Sequence, residues 1–142
     1  MFCFQRIAMS SDHKSLFIKD LLDSLPTLTT PDVHVSVVGI AVDVISPDPE
    51  VHPTRPLVVT LDDGTGVIGC VLFRHHEFDH LQELKIGECF QARGVISEYF
   101  EQTQIKCAAL KIIKDPDFET LWINKVLLQK KNRESSKCLL KF

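Results

Sequence analysis

The chain has 142 residues, enough for one domain with a buried core, and 44% of its residues are hydrophobic. Its 16 basic and 19 acidic residues give a formal net charge of −3. This balance argues against a protein that holds long nucleic acid by charge alone, because neutralising phosphates requires a basic surface. No segment approaches the length of a membrane span, and five cysteines without a CxxC spacing disfavour a disulfide or zinc framework.

The N-terminal part of the chain predicts a short helix. Residues 1–11 show no periodic pattern, and we expect them to be disordered. Asp12 is a suitable N-cap, and apolar residues follow it at helical spacing as far as Leu25. Pro26 then ends the helix. We predict that this helix packs on one end of a domain that spans residues 12–131.

Five β-strands are predicted in the middle of the chain. The first is a long β-branched run with Gly39 near its centre, which favours a bulge or a sharp bend. The turn Asp62-Asp63-Gly64-Thr65-Gly66 joins the second and third strands into a hairpin. The predicted strands are Val33–Ile45, Leu57–Leu61, Val67–Phe73, Cys89–Phe100 and Ile105–Ile113.

Two further helices are predicted. Apolar residues three apart in Arg74–Leu84 indicate a short helix between strands three and four. Asp115-Pro116 is typical of an N-cap followed by proline at the first helical position. The apolar stripe that follows predicts a C-terminal helix over about residues 117–131, and residues 132–142 are expected to form a tail.

The order of these elements favours one architecture. We predict a mainly β domain, a five-stranded Greek-key barrel of the OB-fold type, with a helix between strands three and four and a C-terminal helix. A split β-sandwich is the alternative, although a helix between strands three and four fits it less well.

One motif points to a different chemistry. Residues His76 to His80 read HEFDH, an HExxH pattern that can hold zinc on a helix, with the glutamate as base. Glu98 or Glu101 would then supply a third ligand. A small zinc peptidase is therefore an alternative, but the short helix lacks the long apolar flanks of a metalloprotease helix. We favour a solvated helix over the barrel, and a protein without catalytic residues, metal or other cofactor.

The outward face of the barrel carries the candidate nucleic-acid contacts. Phe73 is predicted to face outward beside Gly69, which has no side chain and leaves a flat space. Bases of single-stranded nucleic acid stack on aromatic rings, while Lys and Arg meet the phosphates. OB-folds bind ligands on strands two and three and on two loops, here Ser46–Pro56 and Phe100–Gln104. The predicted nucleic-acid contacts are Arg55, Phe73, Arg93, Tyr99, Lys106 and Lys111.

The C-terminal helix is a candidate surface for a protein partner. Its single tryptophan and the neighbouring apolar residues form one stripe, which either closes the barrel as a lid or docks on a partner helix. The predicted partner contacts are Phe118, Leu121, Trp122, Lys125 and Val126.

Five segments together resemble a known family. FIKDLL, VSVVGIAVDV, DDGTGVIGCVLF, KIGECFQARGVISEY and DPDFETLWINKVLL are similar to the Stn-type OB-fold subunit of the CST telomere-capping complex, which parallels the middle subunit of replication protein A. The similarity covers roughly residues 16–128, and DDGTGVIGC and RGVISEY are its most specific parts. By position, Phe73 resembles the family's aromatic residue at the end of strand three, and Trp122 resembles part of its dimer helix.

The resemblance implies a nuclear protein that binds single-stranded or chromosome-end DNA. It also implies a heterodimer with a smaller OB-fold partner through the C-terminal helix, and a larger scaffold subunit as a further partner. Family members often carry winged-helix domains after the barrel, so we expect either a truncated member or a divergent relative of the terminin type. The alternative function is an OB-fold protein-interaction module of a genome-maintenance complex that does not touch DNA.

Overall fold

The computed structural model describes residues 13–25, 33–47, 50–51, 54–73, 84–99 and 101–140. The predicted disorder of residues 1–11, the HExxH motif and all but the last residue of the predicted helix at 74–84 lie outside these ranges. Six strands and two helices are found within them. They are β1 (His13–Ser15), α1 (Ile18–Asp23), β2 (His34–Ile45), β3 (Leu57–Asp62), β4 (Val67–Leu72), β5 (Cys89–Tyr99), β6 (Gln102–Ile113) and α2 (Pro116–Leu140).

Five of the strands close into a barrel. The sheet order is β1-β2-β3-β4-β6-β5, and a further pairing between β2 and β5 joins the two sides. The β4–β6 pair is parallel, whereas β2–β3, β3–β4, β5–β6 and β2–β5 are antiparallel. This is the Greek-key order of an OB-fold barrel, so the predicted fold class is confirmed and the alternative of a split β-sandwich is excluded.

Strand β2 belongs to both sides of the barrel. Its first half pairs with β5 and its second half pairs with β3, with the change at Ile40. The register slips between Ala41 and Asp43, which leaves Val42 as a bulged residue. The predicted irregularity is therefore present, but it follows Gly39 rather than coinciding with it. Gly39 instead allows close approach, because a Cβ there would lie 3.0 Å from the Asp62 backbone.

The barrel core follows from the alternation of apolar residues along each strand. On β4, Ile68, Cys70 and Leu72 point inward and are buried. Phe90 of β5 and Ile105 of β6 are also fully buried in the same cluster. The alternate residues of these strands point outward, and the outer face that they form can be covered by a helix or by a ligand.

The first predicted helix begins later in the structure than the sequence suggested. Residues 13–15 form β1, which pairs in parallel with residues 34–36 of β2, and the Leu16 amide donates to the Ser36 carbonyl oxygen over 3.1 Å. Helix α1 begins at Ile18 because the β3–β4 turn supplies its cap: Asp63 Oδ2 accepts from the Ile18 amide over 2.8 Å. Thr65 Oγ1 accepts from the next amide, that of Lys19, over 3.1 Å.

Two other boundaries differ from the prediction. The β5–β6 connection is tighter than Phe100–Gln104, because Glu101 adopts a φ of 63° and β6 already begins at Gln102. Helix α2 begins at Pro116, and Asp115 Oδ1 accepts from the Asp117 amide over 2.9 Å, as the cap signal indicated. The helix continues past the predicted end near residue 131 to Leu140, so the expected tail at 132–142 is wrong as far as residue 140. Among the described helices, none is both long and apolar enough to cross a membrane.

Candidate nucleic-acid interface

The outer face of β3, β4 and β6 carries an open groove of about 700 Å³. Its floor is set by the register of the strands: Thr60 of β3 lies opposite Gly69 of β4, and Gly69 lies opposite Gln104 of β6. Because Gly69 has no side chain, the floor is flat between Thr60 and Gln104. The β5–β6 turn forms one wall, and the end of β2, with Asp43 and Ile45, lies along the other side.

The groove is almost uncharged and combines polar side chains with apolar ones such as Ile45 and Val58. Asp43 is the only charged side chain among the described residues that line it. The groove also contains the hydroxyl groups of Thr60 and Thr103 and the amides of Gln102 and Gln104. Within the described part of the chain, none of these five side chains has a hydrogen-bond or ion-pair partner. These side chains can therefore donate to and accept from a ligand, but the groove walls cannot neutralise phosphates.

An aromatic ring and a cation stand beside the groove. Phe73 follows the end of β4 and is 51% exposed. The Lys106 ammonium lies 5.6 Å from the centre of its ring, within the range of a cation–π contact. Lys106 is exposed on β6, opposite Val71 of β4. The structure therefore brings together two of the residues predicted to contact nucleic acid, and an aromatic face with a neighbouring cation can stack a base and meet its phosphate.

The other predicted contacts do not join this pair closely. Arg93 is half-buried on the outward side of β5 and pairs with Ala109, while Lys111 is exposed and pairs with Gln91. Arg93 and Lys111 both lie further along the β5–β6 pair, away from Lys106. Tyr99 ends β5, and Arg55 is exposed in the segment that leads into β3. Their roles stay predictions.

The sequence interpretation included the flat space at Gly69 and the Phe100–Gln104 loop, but not the polar side chains that line the groove. Asp43, Thr60, Gln102 and Gln104 were not among the predicted contacts. The alternation on β3, where Leu57, Val59 and Leu61 are buried, is a signal that could have pointed to Thr60. Asp43 gave no such signal, because the bulge at Val42 changes the parity of β2 just before it.

Helix α2 covers the barrel on the side away from the groove. Trp122 is only 5% exposed and Val126 is fully buried, and both pack with Val38 of β2. Phe118 is partly buried against the same cluster. Trp122 and Val126 therefore form a lid on their own barrel, which contradicts the prediction that they face a partner, whereas the partner contact of the partly buried Phe118 stays a prediction. The physical reason is that the outer side of β2 is itself apolar here and needs a cover.

The opposite side of α2 remains apolar and exposed. Leu121 is 66% exposed and Leu128 is 60% exposed, so these side chains make little contact with the barrel. Lys125 is exposed between them, and its ammonium lies 5.8 Å from the Trp122 ring centre. Of the predicted partner contacts, Leu121 and Lys125 are thus on the accessible side of the helix. Ile123 and Leu127 are further exposed apolar residues of α2.

A second cavity, of about 400 Å³, lies between α2, β2 and the β3–β4 turn. Its apolar lining includes Ile40, Val42 and Ile123, all of which are exposed. The carboxyl-bearing residues at the cavity are Asp63, Asp62 and Glu119, and no Lys or Arg is among the described residues that line it. The cavity thus combines exposed apolar surface with negative charge.

Two cysteines of the barrel, Cys70 and Cys89, are not activated thiols. A hydrogen bond with the Cys107 thiol, burial and the charge of Cys107 raise the pKa of Cys70 well above its usual value. Burial, and to a smaller extent the Glu119 carboxylate, raise the pKa of Cys89. Both thiols are therefore protonated at neutral pH. Among the residues that the structure describes, no group of three or more His, Cys, Asp and Glu side chains could hold a metal ion.

A family model for an OB-fold nucleic acid binding domain, tRNA_anti-codon, matches residues 35–113, more than half of the chain. The chain belongs to this family. The matched segment runs from β2 to the end of β6, so it contains the five strands of the OB-fold barrel and the groove, but neither helix. No curated protein sequence matches the chain with significance.

Solved structures share the OB-fold of this chain at low sequence identity. A chain in the crystal structure of the S. pombe Stn1–Ten1 complex is 19% identical, with a TM-score of 0.60 over 70% of this chain and 71% of that one. A chain in the crystal structure of yeast Stn1 and Ten1 is 14% identical, with a TM-score of 0.67 over 84% and 73%. A chain in the structure of a replication protein A heterotrimer bound to single-stranded DNA is 11% identical, with a TM-score of 0.66 over 84% and 96%.

Proposed function

We propose that this chain is a non-catalytic OB-fold subunit that binds single-stranded DNA together with a smaller OB-fold partner. We further propose that it works in the nucleus, at chromosome ends or in a complex of the replication protein A type. Membership of a nucleic-acid-binding OB-fold family supports the general class. The likeness to chains from Stn1–Ten1 and replication protein A structures supports the narrower proposal.

The open groove is the observation that carries the proposal. Helix α2 covers the outer side of β2, whereas the outer face of β3 and β4 carries a groove whose polar side chains have no partners within the described chain. A base can lie flat over Gly69, and another base of the same strand, about 13 Å further along β4, can reach the Phe73 ring. Lys106 is positioned to meet the phosphate of the stacked nucleotide.

Filling the floor of the groove tests this proposal without unfolding the barrel. A Cβ added at Gly69 would lie 3.5 Å from Gln104 Nε2 and 3.8 Å from Val58 Cγ1, which are ordinary contacts. Valine suits a strand, so Gly69→Val should fold normally while its side chain occupies the place of a base. We expect affinity for a labelled single strand to fall about tenfold, since one stacked base contributes about 1–3 kcal/mol.

Gly69→Ala is the matched control for this experiment. It adds only one methyl group at the same position and should reduce affinity less than Gly69→Val does. Fluorescence anisotropy gives the affinity, and thermal melting confirms that both variants are folded. A folded Gly69→Val protein that binds DNA as tightly as the wild type would contradict the groove as the binding site.

The Phe73–Lys106 pair allows a second, independent test. Phe73→Ala should weaken single-strand binding by about 1–3 kcal/mol with little change in salt dependence, because it removes stacking alone. Lys106→Ala should instead make the salt dependence shallower by about 0.7 in the slope of log K against log salt concentration. Unchanged affinity and slope in both variants would reject this part of the surface.

The exposed side of α2 and the 400 Å³ cavity beside it are the proposed surface for the partner subunit. Ile123, which lines the cavity, and Leu127, one turn further along the same side of the helix, offer exposed apolar area, and the cavity can accept an apolar side chain. Glu119 and Asp62 make the cavity negative, so a partner segment with Lys or Arg beside its apolar anchor would match it. Leu127→Asp should prevent co-purification with the partner while leaving the melting temperature of the isolated chain within a few degrees, because Leu127 is half exposed.

A protein-interaction module without direct DNA contact is the second candidate function. The absence of Lys and Arg among the described residues that line the groove, together with the net charge of −3, favours it. The purified heterodimer distinguishes the two functions. If the heterodimer binds single strands and neither Gly69→Val nor the Phe73→Ala and Lys106→Ala variants of this chain change that affinity, the partner holds the DNA.

A further inference from the structure

The polar residues of the groove form one row across four strands. Asp43 of β2 pairs with Thr60 of β3, and Thr60 pairs with Gly69 of β4. Gly69 pairs in turn with Gln104 of β6. Neighbouring strands are about 4.8 Å apart, so Asp43 lies roughly 10 Å from the gap at Gly69, on the side opposite Gln104. A base lying over Gly69 would therefore direct one edge towards Thr60 and Asp43.

The charge of Asp43 is unexpected in a groove for a polyanion. Asp43 is exposed, and no hydrogen bond or ion pair to it occurs within the described chain. A carboxylate repels phosphates, but it accepts hydrogen bonds from the amino groups of bases. The groove has no described Lys or Arg in its lining to attract phosphates to the same place. The arrangement thus suits contact with base edges rather than with the backbone of the strand.

We propose that Asp43 is a specificity-determining residue, which makes the groove prefer bases with an exocyclic amino group over thymine. Cytosine, adenine and guanine each present an amino group that a carboxylate can accept from. Thymine has a single ring N–H flanked by two carbonyl oxygens, and both oxygens are repelled by a carboxylate. Thr60, as donor and acceptor, can hydrogen-bond either kind of base and does not discriminate between them. This inference rests on the proposed function, because it assumes that the groove binds single-stranded DNA.

A comparison of cytosine with thymine tests the inference most directly. The two pyrimidines are similar in size, but cytosine has an amino group where thymine has a carbonyl oxygen. The strands are an oligothymidine and the same oligomer with its central thymidines replaced by cytidines. We expect the purified heterodimer with the wild-type chain to bind the cytidine-containing strand about fivefold more tightly, the lower end of what a base-edge contact contributes.

Two variants, each of which removes one negative charge, complete the experiment. Asp43→Asn should reduce the preference to less than twofold and tighten binding of both strands at low salt, since a negative charge is removed from the groove. Asp117→Asn removes an exposed carboxylate on α2, outside the groove, and should keep the fivefold preference. Equal binding of both strands by the wild type, or an unchanged preference in Asp43→Asn, would overturn the inference. If the wild-type heterodimer bound neither strand, the proposed function would fail and this inference with it.

Discussion

The inner face of helix α2 should determine the stability of the domain rather than its partner binding. Trp122 is 95% buried against the barrel, and a buried tryptophan typically removes 150–250 Å² from water. Trp122→Ala gives up most of this area, about 150 Å², which at about 25 cal/mol per Å² corresponds to about 4 kcal/mol. Val126→Ala should cost about 1.5 kcal/mol for two methylene equivalents. The other described contacts of α2 are too weak to make up for this loss of free energy of unfolding. The 3.3 Å ion pair between Lys130 and Asp20 is partly exposed and contributes at most about 1 kcal/mol.

Urea denaturation followed by far-ultraviolet circular dichroism measures these losses. Trp122 is the only tryptophan of the chain, so its fluorescence in Val126→Ala also reports when α2 leaves the barrel. Leu128→Ala is the control, because this side chain is 60% exposed and its loss should change the free energy of unfolding by less than about 0.5 kcal/mol. If Trp122→Ala cost less than about 1 kcal/mol but abolished binding of the partner subunit, the assignment of this face to the barrel would be refuted.

Three further predictions concern the barrel. Gly94→Ala should lower the free energy of unfolding by more than about 2 kcal/mol, or prevent folding, as measured by urea denaturation. The new Cβ would overlap the backbone carbonyl group of Lys106 and lie 2.9 Å from the Cα of Cys107. Asp63→Ala should lower the free energy of unfolding by about 2 kcal/mol and speed hydrogen exchange in α1, because this carboxylate accepts hydrogen bonds from the amides of the turn and of Ile18. Normal protection of the α1 amides would contradict the capping role of Asp63. The free energy of unfolding should fall as pH rises above about 8.5, because the raised pKa of Cys70 keeps this thiol protonated in the folded chain while it ionises in the unfolded one. Cys70→Ala should reduce that slope, and an identical slope in both proteins would show that other groups cause it.

The strands of the barrel could be predicted well from the sequence, because their signal is local. Alternation along β4 and β5 indicates which residues face the core, and the Asp-Gly turn identifies the β3–β4 hairpin. The Asp115-Pro116 cap likewise marks the start of α2. The general location of the ligand surface, on strands β3 and β4, followed from the barrel once the strand order was inferred.

The remaining features depend on contacts between distant parts of the chain. Residues 13–15 carry a helical pattern but pair with β2, and α1 begins where Asp63 supplies its cap. The apolar stripe of α2 reads equally well as a lid or as a partner surface, because periodicity shows that a face is buried but not what buries it. Only the packing on Val38 decided that Trp122 faces its own barrel.

The sequence by itself therefore determined the strands, the hairpin, the cap of the last helix and hence the class of fold, since each rests on residues that are neighbours along the chain. The tertiary structure alone decided which side chains line the groove. Asp43, Thr60, Gly69 and Gln104 are far apart in sequence and become one row only through the registers of three strand pairs. A single bulge at Val42 sets which way Asp43 faces, and no local pattern records it.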